Sequence, residues 1–215
     1  MKIIDIENWK RKKTYLWFKN FSNPCYGITS KLKITKVVKF SKRTKTSFYA
    51  NILYLVVRGL NSIEEMRMRI VKDNPVIFDK ITPAYTVMTD DGFFDNVRHD
   101  YCEDYKTFYK LTRENIDKAK KGVTNSLTYN EDRYDEFYIT CVPWMNFLGV
   151  THPIPDEKQS QNVPRICWGK YYNEGDEIMI DFNITVSHIF VDGYSLSKCF
   201  STLQELFDNC EKYLI

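Results

Sequence analysis

Two residues near the carboxyl-terminal end of the chain, His188 and Asp192, are of types that perform acid–base chemistry. His188 closes a run of alternating apolar residues, so we expect its imidazole to be partly withdrawn from water. Desolvation favours a neutral imidazole, which can accept a proton near physiological pH. Asp192 follows four residues later, and Gly193 permits a backbone conformation that side chains resist. The spacing alone is equally compatible with a buried histidine followed by a helix-capping aspartate.

A strand and a helix must position these residues. Residues 178–188 alternate between apolar and polar types, which predicts a strand whose apolar face carries Ile178, Ile180, Phe182, Ile184 and Val186. The opposite face, which needs hydrogen-bond partners from water or a subunit interface, carries Asp181, Asn183, Thr185 and Ser187. A helix is predicted after Gly193, with an apolar stripe of Leu196, Cys199, Phe200, Leu203, Leu206 and Phe207.

The rest of the chain predicts an α/β protein. Helices are predicted over residues 5–20, with Asp5 as a cap, over 46–62 and over 103–121. Strands are predicted over 26–35, 83–89, 137–143 and 164–171, with a hairpin joining 67–71 to 75–78 and a turn at 173–176. We therefore expect a mixed or mostly antiparallel sheet packed with helices. No linker interrupts the pattern, which predicts a single domain over residues 1–215.

Composition narrows the class of protein. Of 215 residues, 43% are hydrophobic and 27% are charged, as in soluble globular proteins. The net charge of +3 does not indicate a nucleic-acid-binding protein. The first residues, Met1-Lys2-Ile3-Ile4-Asp5, do not predict a signal peptide, and no run approaches the roughly 20 apolar residues that span a bilayer. The six cysteines lack C-x-x-C spacing, so we expect neither a zinc site nor a dithiol redox site. We expect the protein to be located in a reducing cytoplasm.

One basic run is compatible with two interpretations. It contains Lys31, Lys33, Lys36, Lys39, Lys42, Arg43 and Lys45. The first interpretation is a solvated face with a loop. The second is a patch that attracts an anionic ligand, such as a cofactor that carries phosphate groups.

Several short segments accompany the His-x-x-x-Asp-Gly motif. They are Asn8-Trp9-Lys10-Arg11, Phe48-Tyr49, Glu65-Met66-Arg67-Met68-Arg69-Ile70, Pro143-Trp144-Met145-Asn146-Phe147, Gly169-Lys170-Tyr171 and Leu203-Gln204-Glu205-Leu206. In order and spacing, over nearly the whole chain, this set resembles the chloramphenicol acetyltransferase family. Each segment is unspecific alone, whereas the combination is specific.

The resemblance implies a fold, a reaction and an assembly. Members of the family are two-layer α/β sandwiches that form homotrimers, with active sites between subunits and acetyl-CoA as co-substrate. His188 matches the general base that deprotonates an acceptor hydroxyl for direct attack on the thioester. Asp192 matches a structural aspartate that pairs with the arginine corresponding to Arg11. The resemblance implies no metal.

The same resemblance assigns binding residues. The implied acceptor-site residues are Phe18, Tyr26, Phe94, Asn146 and Cys167. Lys170 and Tyr171 match positions near the coenzyme A groove, where an ammonium group suits phosphate and an aromatic ring suits adenine. Without the resemblance, the aromatic residues are ordinary core residues, Arg11 is a surface arginine on a helix, and Lys170 with Tyr171 is an exposed strand end.

The chain also departs from the family pattern. Ser187 stands where many members carry a second histidine, and Cys167 stands at the position of an acceptor-site threonine. Leu148-Gly149 stands in place of a serine that supports the oxyanion, and Thr151 is the nearest hydroxyl. A missing oxyanion donor costs about 3 kcal/mol of transition-state stabilisation. The sequence therefore supports acyl transfer better than it supports chloramphenicol as the acceptor.

Two alternatives stay open. The second hypothesis keeps the fold and His188 but changes the acceptor to another xenobiotic or a sugar hydroxyl. The third is a trimer that binds a ligand without turnover. The dihydrolipoamide acyltransferase core and peptide-synthetase condensation domains share the His-x-x-x-Asp-Gly motif, but the chain length and the amino-terminal match disfavour both.

The two remaining histidines are not predicted to be catalytic. His99 lies in the charged segment Arg98-His99-Asp100, so we expect it to face solvent. His152 precedes a proline and is predicted to lie in a loop.

Overall fold

The computed structural model describes residues 1–123 and 134–215. The helices are α1 (Lys12–Phe18), α2 (Thr35–Thr44), α3 (Phe48–Asn61), α4 (Tyr105–Lys120), α5 (Lys158–Gln161) and α6 (Gly193–Asp208). The strands are β1 (Lys2–Ile3), β2 (Cys25–Lys33), β3 (Met68–Val71), β4 (Asn74–Ile77), β5 (Thr82–Met88), β6 (Phe94–Arg98), β7 (Glu136–Val142), β8 (Arg165–Gly169), β9 (Tyr172–Glu174) and β10 (Glu177–Ser187). Short 3₁₀ turns, Glu64–Arg67 and Cys210–Lys212, follow α3 and α6.

The main sheet has the strand order β2-β10-β8-β7-β5-β6, and β9 pairs with β10. Within the described residues, β7 is parallel to β5 and β8, while the other strand pairs are antiparallel. A smaller antiparallel sheet has the order β1-β4-β3 and contains the predicted hairpin. The prediction of a mixed, mostly antiparallel sheet is confirmed.

The helices form a second layer on one face of the main sheet. Helix α3 is buried nearly all round, as expected of a helix that is apolar on every side, and it contacts α2, α4 and α6. Those three helices in turn contact β10, the β5–β6 pair and β2, respectively. Among the described residues, no helix is both long enough and apolar enough to cross a membrane.

The other face of the main sheet carries a row of polar side chains. Thr29 of β2 lies opposite Asn183 of β10. Asn183 lies opposite Cys167 of β8, and Cys167 lies opposite Thr140 of β7. Since side chains alternate between the faces of a sheet, these four residues project to the same side. They form what we call the polar row.

The chain itself supplies partners for this polar face. The Asn183 amide donates to Thr29 Oγ1 at 3.0 Å and accepts a hydrogen bond from His152 Nε2 at 3.1 Å. The Phe147 backbone N–H donates to Asp181 Oδ2 at 3.3 Å. His152 lies in a loop, as predicted, and that loop covers part of the sheet. The expectation that water or another subunit supplies these partners is therefore corrected for Asp181 and Asn183.

The first predicted helix is shorter than expected, because α1 begins only at Lys12. Asp5 does not cap a helix. Its carboxylate accepts hydrogen bonds from the Glu7 backbone N–H at 3.1 Å and from the Asn8 side chain at 2.7 Å. An aspartate whose carboxylate accepts hydrogen bonds from residues two and three positions later stabilises a turn, and that turn competes with helix formation.

The basic run lies mainly on α2, where a loop was predicted. Val37 and Val38 lie on the buried side of the helix, and the cations project from the other side. Arg43 pairs with Glu211 at 2.9 Å. The interpretation as a solvated face is correct, but the predicted loop is wrong, because the apolar spacing within the run is helical.

Candidate active site

The segment after β10 presents His188. Its backbone N–H donates to the carbonyl oxygen of Pro24 at 2.9 Å, which ties it to the chain before β2. The three residues that follow His188 are buried. The Phe190 ring contacts Trp9 and Tyr15, with centroid distances of 6.1 and 6.2 Å. The loop that carries His188 is therefore anchored in the core.

Two aromatic rings contact the His188 imidazole. Phe18 of α1 stacks on it, with ring centroids 4.0 Å apart and an interplanar angle of 11°. Tyr26 of β2 lies against it at 4.7 Å. The Nδ1 atom of His188 is buried and has no hydrogen-bond partner among the described residues. Phe18 and Tyr26, two of the residues assigned to the acceptor site, thus lie beside His188.

Tyr26 also contacts the far end of the same loop. Its hydroxyl donates to the carbonyl oxygen of Val191 at 3.3 Å. Burial, followed by the negative charge of Asp192 and by Cys199, raises the pKa of Tyr26 to about 12. The phenol therefore stays protonated at physiological pH and keeps its role as a donor.

Asp192 begins α6 and pairs with Arg11. Its Oδ1 accepts the Ser195 backbone N–H at 2.8 Å, which caps the helix. Its Oδ2 accepts a hydrogen bond from Arg11 Nη1 at 2.6 Å. Although partial burial opposes it, the Ser195 N–H and the Arg11 guanidinium hold the pKa of Asp192 below its usual value. The pairing that the resemblance implied is present in the structure.

Arg11 has two further partners that the sequence did not reveal. Its Nη2 donates to Glu65 Oε1 at 2.8 Å and to Ser195 Oγ at 2.7 Å. Glu65 lies within one of the segments that carry the resemblance, which was the only signal available. No local pattern connects it to Arg11, because 54 residues separate the two in the chain.

A groove of about 810 Å³ contains the other group of predicted binding residues. It lies at the carboxyl-terminal ends of the parallel strands β5, β7 and β8. Its lining contains Lys170 and Tyr171, which were predicted for coenzyme A, together with Phe94, which was predicted for the acceptor site. The Tyr171 ring meets Phe48 edge-on at 5.3 Å. The cationic side chains of its lining are Arg113, Lys120 and Lys170.

Gly169 allows a neighbouring segment to close on the end of β8. A Cβ atom at this position would lie 2.9 Å from the carbonyl oxygen of Met145 and 3.2 Å from the Phe147 ring. The next backbone N–H, that of Lys170, donates to the same Met145 oxygen at 2.9 Å. These contacts hold Lys170 at the groove. Asn146 of the same segment is exposed and is not in the groove lining.

The groove and His188 lie at opposite ends of the main sheet. Strand β10 runs antiparallel to β8, and Phe182 lies opposite Trp168, which lines the groove. His188 comes six residues after Phe182, which corresponds to about 20 Å along a strand. The groove lining contains none of His188, Phe18 and Tyr26. One chain therefore does not bring its own groove to its own His188.

Cys167 lies inside the sheet. It is 1% exposed, and burial raises the pKa of its thiol to about 11, so the group is neutral at physiological pH. Within the polar row it lies between Asn183 and Thr140. Across residues 1–123 and 134–215, no group of three or more His, Cys, Asp or Glu side chains could hold a metal ion.

The prediction that His99 faces solvent is wrong. The residue is 8% exposed, its Nε2 lies 2.9 Å from Thr112 Oγ1, and its Nδ1 lies 3.0 Å from the carbonyl oxygen of Asp100. Its ring meets Phe108 edge-on at 4.8 Å. Burial lowers the pKa of His99. The charged residues on either side in the sequence concealed a position that the fold turns inward.

Comparison with known proteins agrees with this architecture. The model of the family described as "Chloramphenicol acetyltransferase" matches residues 1–204. A chloramphenicol acetyltransferase of Clostridium perfringens is 27% identical over 214 residues, 99% of this chain and 97% of that protein. One from Escherichia coli is 27% identical over 208 residues, 95% of this chain and 93% of that protein.

Solved structures show the same fold. A structure of a chloramphenicol acetyltransferase matches with a TM-score of 0.83 at 29% identity, covering 96% of this chain and 100% of that chain. The truncated catalytic core of a 2-oxoacid dehydrogenase complex from Thermoplasma acidophilum matches with a TM-score of 0.66 at 15% identity, covering 97% and 99%. The second likeness concerns the fold alone. The two-layer sandwich that the resemblance implied is confirmed.

Proposed function

Because the chain belongs to the chloramphenicol acetyltransferase family, we propose that it transfers the acetyl group of acetyl-CoA to a hydroxyl group of chloramphenicol. Membership of this family makes the protein an acyltransferase. The observation that carries the proposal is the family match over residues 1–204, which contains His188 held against two aromatic rings and Asp192 paired with Arg11.

In the proposed mechanism, His188 is the general base. Its imidazole takes the proton of the acceptor hydroxyl while the hydroxyl oxygen attacks the carbonyl carbon of the acetyl thioester. The tetrahedral intermediate collapses with cleavage of the carbon–sulfur bond. The imidazolium then gives its proton to the coenzyme A thiolate. The products are an acetyl ester and coenzyme A with a free thiol, and His188 is neutral again.

Arg11 and Asp192 hold the loop that carries His188. Asp192 both caps α6 and accepts a hydrogen bond from Arg11, so it joins the end of the loop to the amino-terminal part of the chain. A base must lie within hydrogen-bond reach of the proton that it removes. We therefore assign Arg11 and Asp192 a positioning role, in which neither residue touches the reacting atoms.

We place coenzyme A in the groove, whose lining fits the chemistry of that molecule. Its phosphate groups need cations, which Lys170, Lys120 and Arg113 offer. Its adenine needs an aromatic surface, which Tyr171 and Phe48 offer. We place the reaction in the cytoplasm, where acetyl-CoA is available and where six free cysteines would stay reduced.

We further propose that the protein is a homotrimer of chains that each form one domain, with active sites shared between neighbours. The separation of about 20 Å between the groove and His188 of one chain supports this arrangement. A neighbouring chain that faces the groove could present its own His188 to the thioester. Exposed apolar side chains at the groove end, among them Trp144 and Phe94, suit such an interface.

A different hydroxyl acceptor is the second candidate, and Cys167 favours it. The resemblance places Cys167 in the acceptor site, at the position of a threonine, although its side chain is 1% exposed within one chain. A neutral thiol is a weaker hydrogen-bond donor than a hydroxyl. A substrate that depends on a threonine hydroxyl would therefore bind less well here, whereas another alcohol need not depend on it.

The test is a coenzyme A release assay that follows the free thiol with acetyl-CoA as donor. The acceptors are chloramphenicol and a panel of small alcohols and sugars, and a reaction without acceptor measures background hydrolysis of the thioester. Mass spectrometry of the acceptor identifies the acetyl ester. Turnover with chloramphenicol supports the first candidate, and turnover with another alcohol alone supports the second. Binding without turnover of any acceptor would favour the non-catalytic trimer and contradict the proposal.

A further inference from the structure

The Arg11 guanidinium lies between two carboxylates. Its Nη1 donates to Asp192 at 2.6 Å, and its Nη2 donates to Glu65 at 2.8 Å. The side chains of Arg11 and Glu65 are only 22% and 20% exposed, so neither end is freely hydrated. A guanidinium is planar, so two partners on different nitrogens define its orientation, whereas one partner leaves it free to turn.

Glu65 is itself held by a rigid part of the fold. It lies in the 3₁₀ turn Glu64–Arg67, which follows α3 and is closed by the hydrogen bond from Met66 N–H to Ile63 O at 3.1 Å. Met66 and Ile63 are 0% and 2% exposed, so both anchor the turn in the core. Glu65 thus offers Arg11 a carboxylate whose position is set by α3, independently of the loop that carries His188.

Ser195 joins Arg11, Asp192 and Glu65 in a set of four hydrogen-bonded polar residues at the start of α6. Arg11 Nη2 also donates to Ser195 Oγ at 2.7 Å, and the backbone N–H of Ser195 donates to Asp192 at 2.8 Å. Glu65 is therefore the one carboxylate of the set that lies outside the His188 loop and its helix. It couples the loop to α3, the helix whose first residue, Phe48, lines the groove.

We propose that Glu65 is a positioning residue for His188 and acts through Arg11 and Asp192. This inference rests on the proposed role of His188 as the general base. Without Glu65, the remaining partner of Arg11 Nη2 is the neutral hydroxyl of Ser195. A neutral hydroxyl holds a guanidinium less strongly than a carboxylate does, so the guanidinium is less firmly oriented toward Asp192. The loop then samples orientations in which His188 does not reach the acceptor hydroxyl.

Three variants test this inference in the full-length protein. Glu65→Ala removes both the charge and the hydrogen-bond acceptor, whereas Glu65→Gln keeps an oxygen that can accept from Arg11. Glu64→Ala is the matched control, because Glu64 is the exposed neighbour in the same turn. We expect Glu65→Ala to lower kcat by roughly 2- to 30-fold with KM for acetyl-CoA within about twofold of wild type. We expect a smaller loss of kcat for Glu65→Gln and none for Glu64→Ala.

A second readout does not depend on activity. The chain has three histidines, so nuclear magnetic resonance of ring-labelled histidine can follow each one, with His188 assigned by the loss of its signal in His188→Gln. Glu65→Ala should shift or broaden the His188 signal and leave those of His99 and His152 in place. If Glu65→Ala does not fold, Glu65→Asp takes its place in both measurements. The shorter aspartate side chain lengthens the 2.8 Å contact with Arg11.

The outcomes separate this inference from the proposed function. A wild-type protein that releases no coenzyme A with any acceptor contradicts the proposed function, yet the His188 signal still reports whether Glu65 positions the ring. A His188 signal in Glu65→Ala that superimposes on that of wild type overturns the positioning role. So does a kcat for Glu65→Ala that equals that of Glu64→Ala.

Discussion

The two ends of the main sheet hold their functional side chains differently. At the His188 end, Arg11, Asp192 and Tyr26 are each hydrogen-bonded within the chain. At the groove end, large apolar side chains are open to solvent: Trp144 is 66% exposed and Phe94 is 65% exposed. The polar groups of the first end are therefore paired before any partner arrives. Apolar surface for a partner is present at both ends, because Trp17 and Tyr194 near His188 are 70% and 77% exposed.

This contrast predicts which kinetic constant each end of the sheet controls. A base has to be oriented before the reaction, and the His188 end orients it with contacts from α1, β2 and α6. A co-substrate can bring its own contacts to an exposed surface. We therefore expect substitutions at the His188 end to change kcat, and substitutions at the groove end to change KM for acetyl-CoA.

The largest effect is expected for His188→Ala. Without the imidazole no group removes the acceptor proton, so kcat should fall roughly 10²- to 10⁴-fold, the usual contribution of general-base catalysis. The measurement is steady-state coenzyme A release, with circular dichroism to show that the variant is folded. A folded variant with unchanged turnover would remove the basis for a catalytic role at this end of the sheet.

The second largest loss of kcat is expected when the pair of Arg11 and Asp192 is broken. Arg11→Ala and Asp192→Asn should each lower kcat by roughly 10- to 100-fold, because the loop of His188 is then less well oriented. The side chains are 22% and 35% exposed, so we expect a modest coupling of about 1 kcal/mol in the free energy of unfolding. Denaturant unfolding of both single variants and the double variant measures it. Strictly additive losses would show that the two residues do not act together.

Mixing two defective chains sharpens the comparison between the ends. One chain carries His188→Ala, and the other carries Lys170→Glu with Tyr171→Glu in the groove. If sites are shared, random co-assembly at equal amounts pairs an intact His188 with an intact neighbouring groove in roughly a quarter of sites. Activity of the co-expressed mixture, measured at low acetyl-CoA, should then approach about a quarter of wild type.

The same experiment can contradict the shared site. If each chain forms its active site alone, the mixture shows only the average of the two parent variants. Light scattering during the assay shows whether the chains are associated. Full activity in a species of the chain mass, 25.6 kDa, would contradict a site between subunits.

The smallest effect is expected for Lys170→Ala. An exposed cation contributes little to binding, so KM for acetyl-CoA should rise roughly two- to fivefold while kcat is unchanged. The increase should shrink at high salt, because ions screen the interaction with phosphate. Lys39→Ala on the exposed side of α2 is the control and should change neither constant. A fall in kcat without a change in KM for Lys170→Ala would reverse the expected contrast between the ends.

Local patterns in the sequence determined much of the fold. The alternation over residues 178–188 predicted β10, and the apolar spacing over 46–62 predicted α3, because each pattern depends on which neighbours share a face. Where polar residues dominate, such patterns are harder to read. Helix α2 was interpreted as a loop although Val37 and Val38 have helical spacing within the basic run.

The composition of the active-site end was only partly predictable. His188, Asp192 and Arg11 were identified from motifs that occur at similar spacing in a family. Glu65 was not identified as a partner, because a single carboxylate has no pattern of its own. His99 was assigned to the surface for a related reason, since its charged neighbours do not show which way its own side chain turns.

The sequence by itself determined most of the helices and strands, the family and the residue types available for catalysis. The tertiary structure alone decided that Arg11 meets Glu65 across 54 residues, and that His188 and the groove lie at opposite ends of the sheet. The physical reason is the separation along the chain of the residues that interact. Helix and strand periodicity depends on residues a few positions apart, whereas these contacts depend on the direction in which β10 runs against β8 and on how α1 and α3 pack beside it.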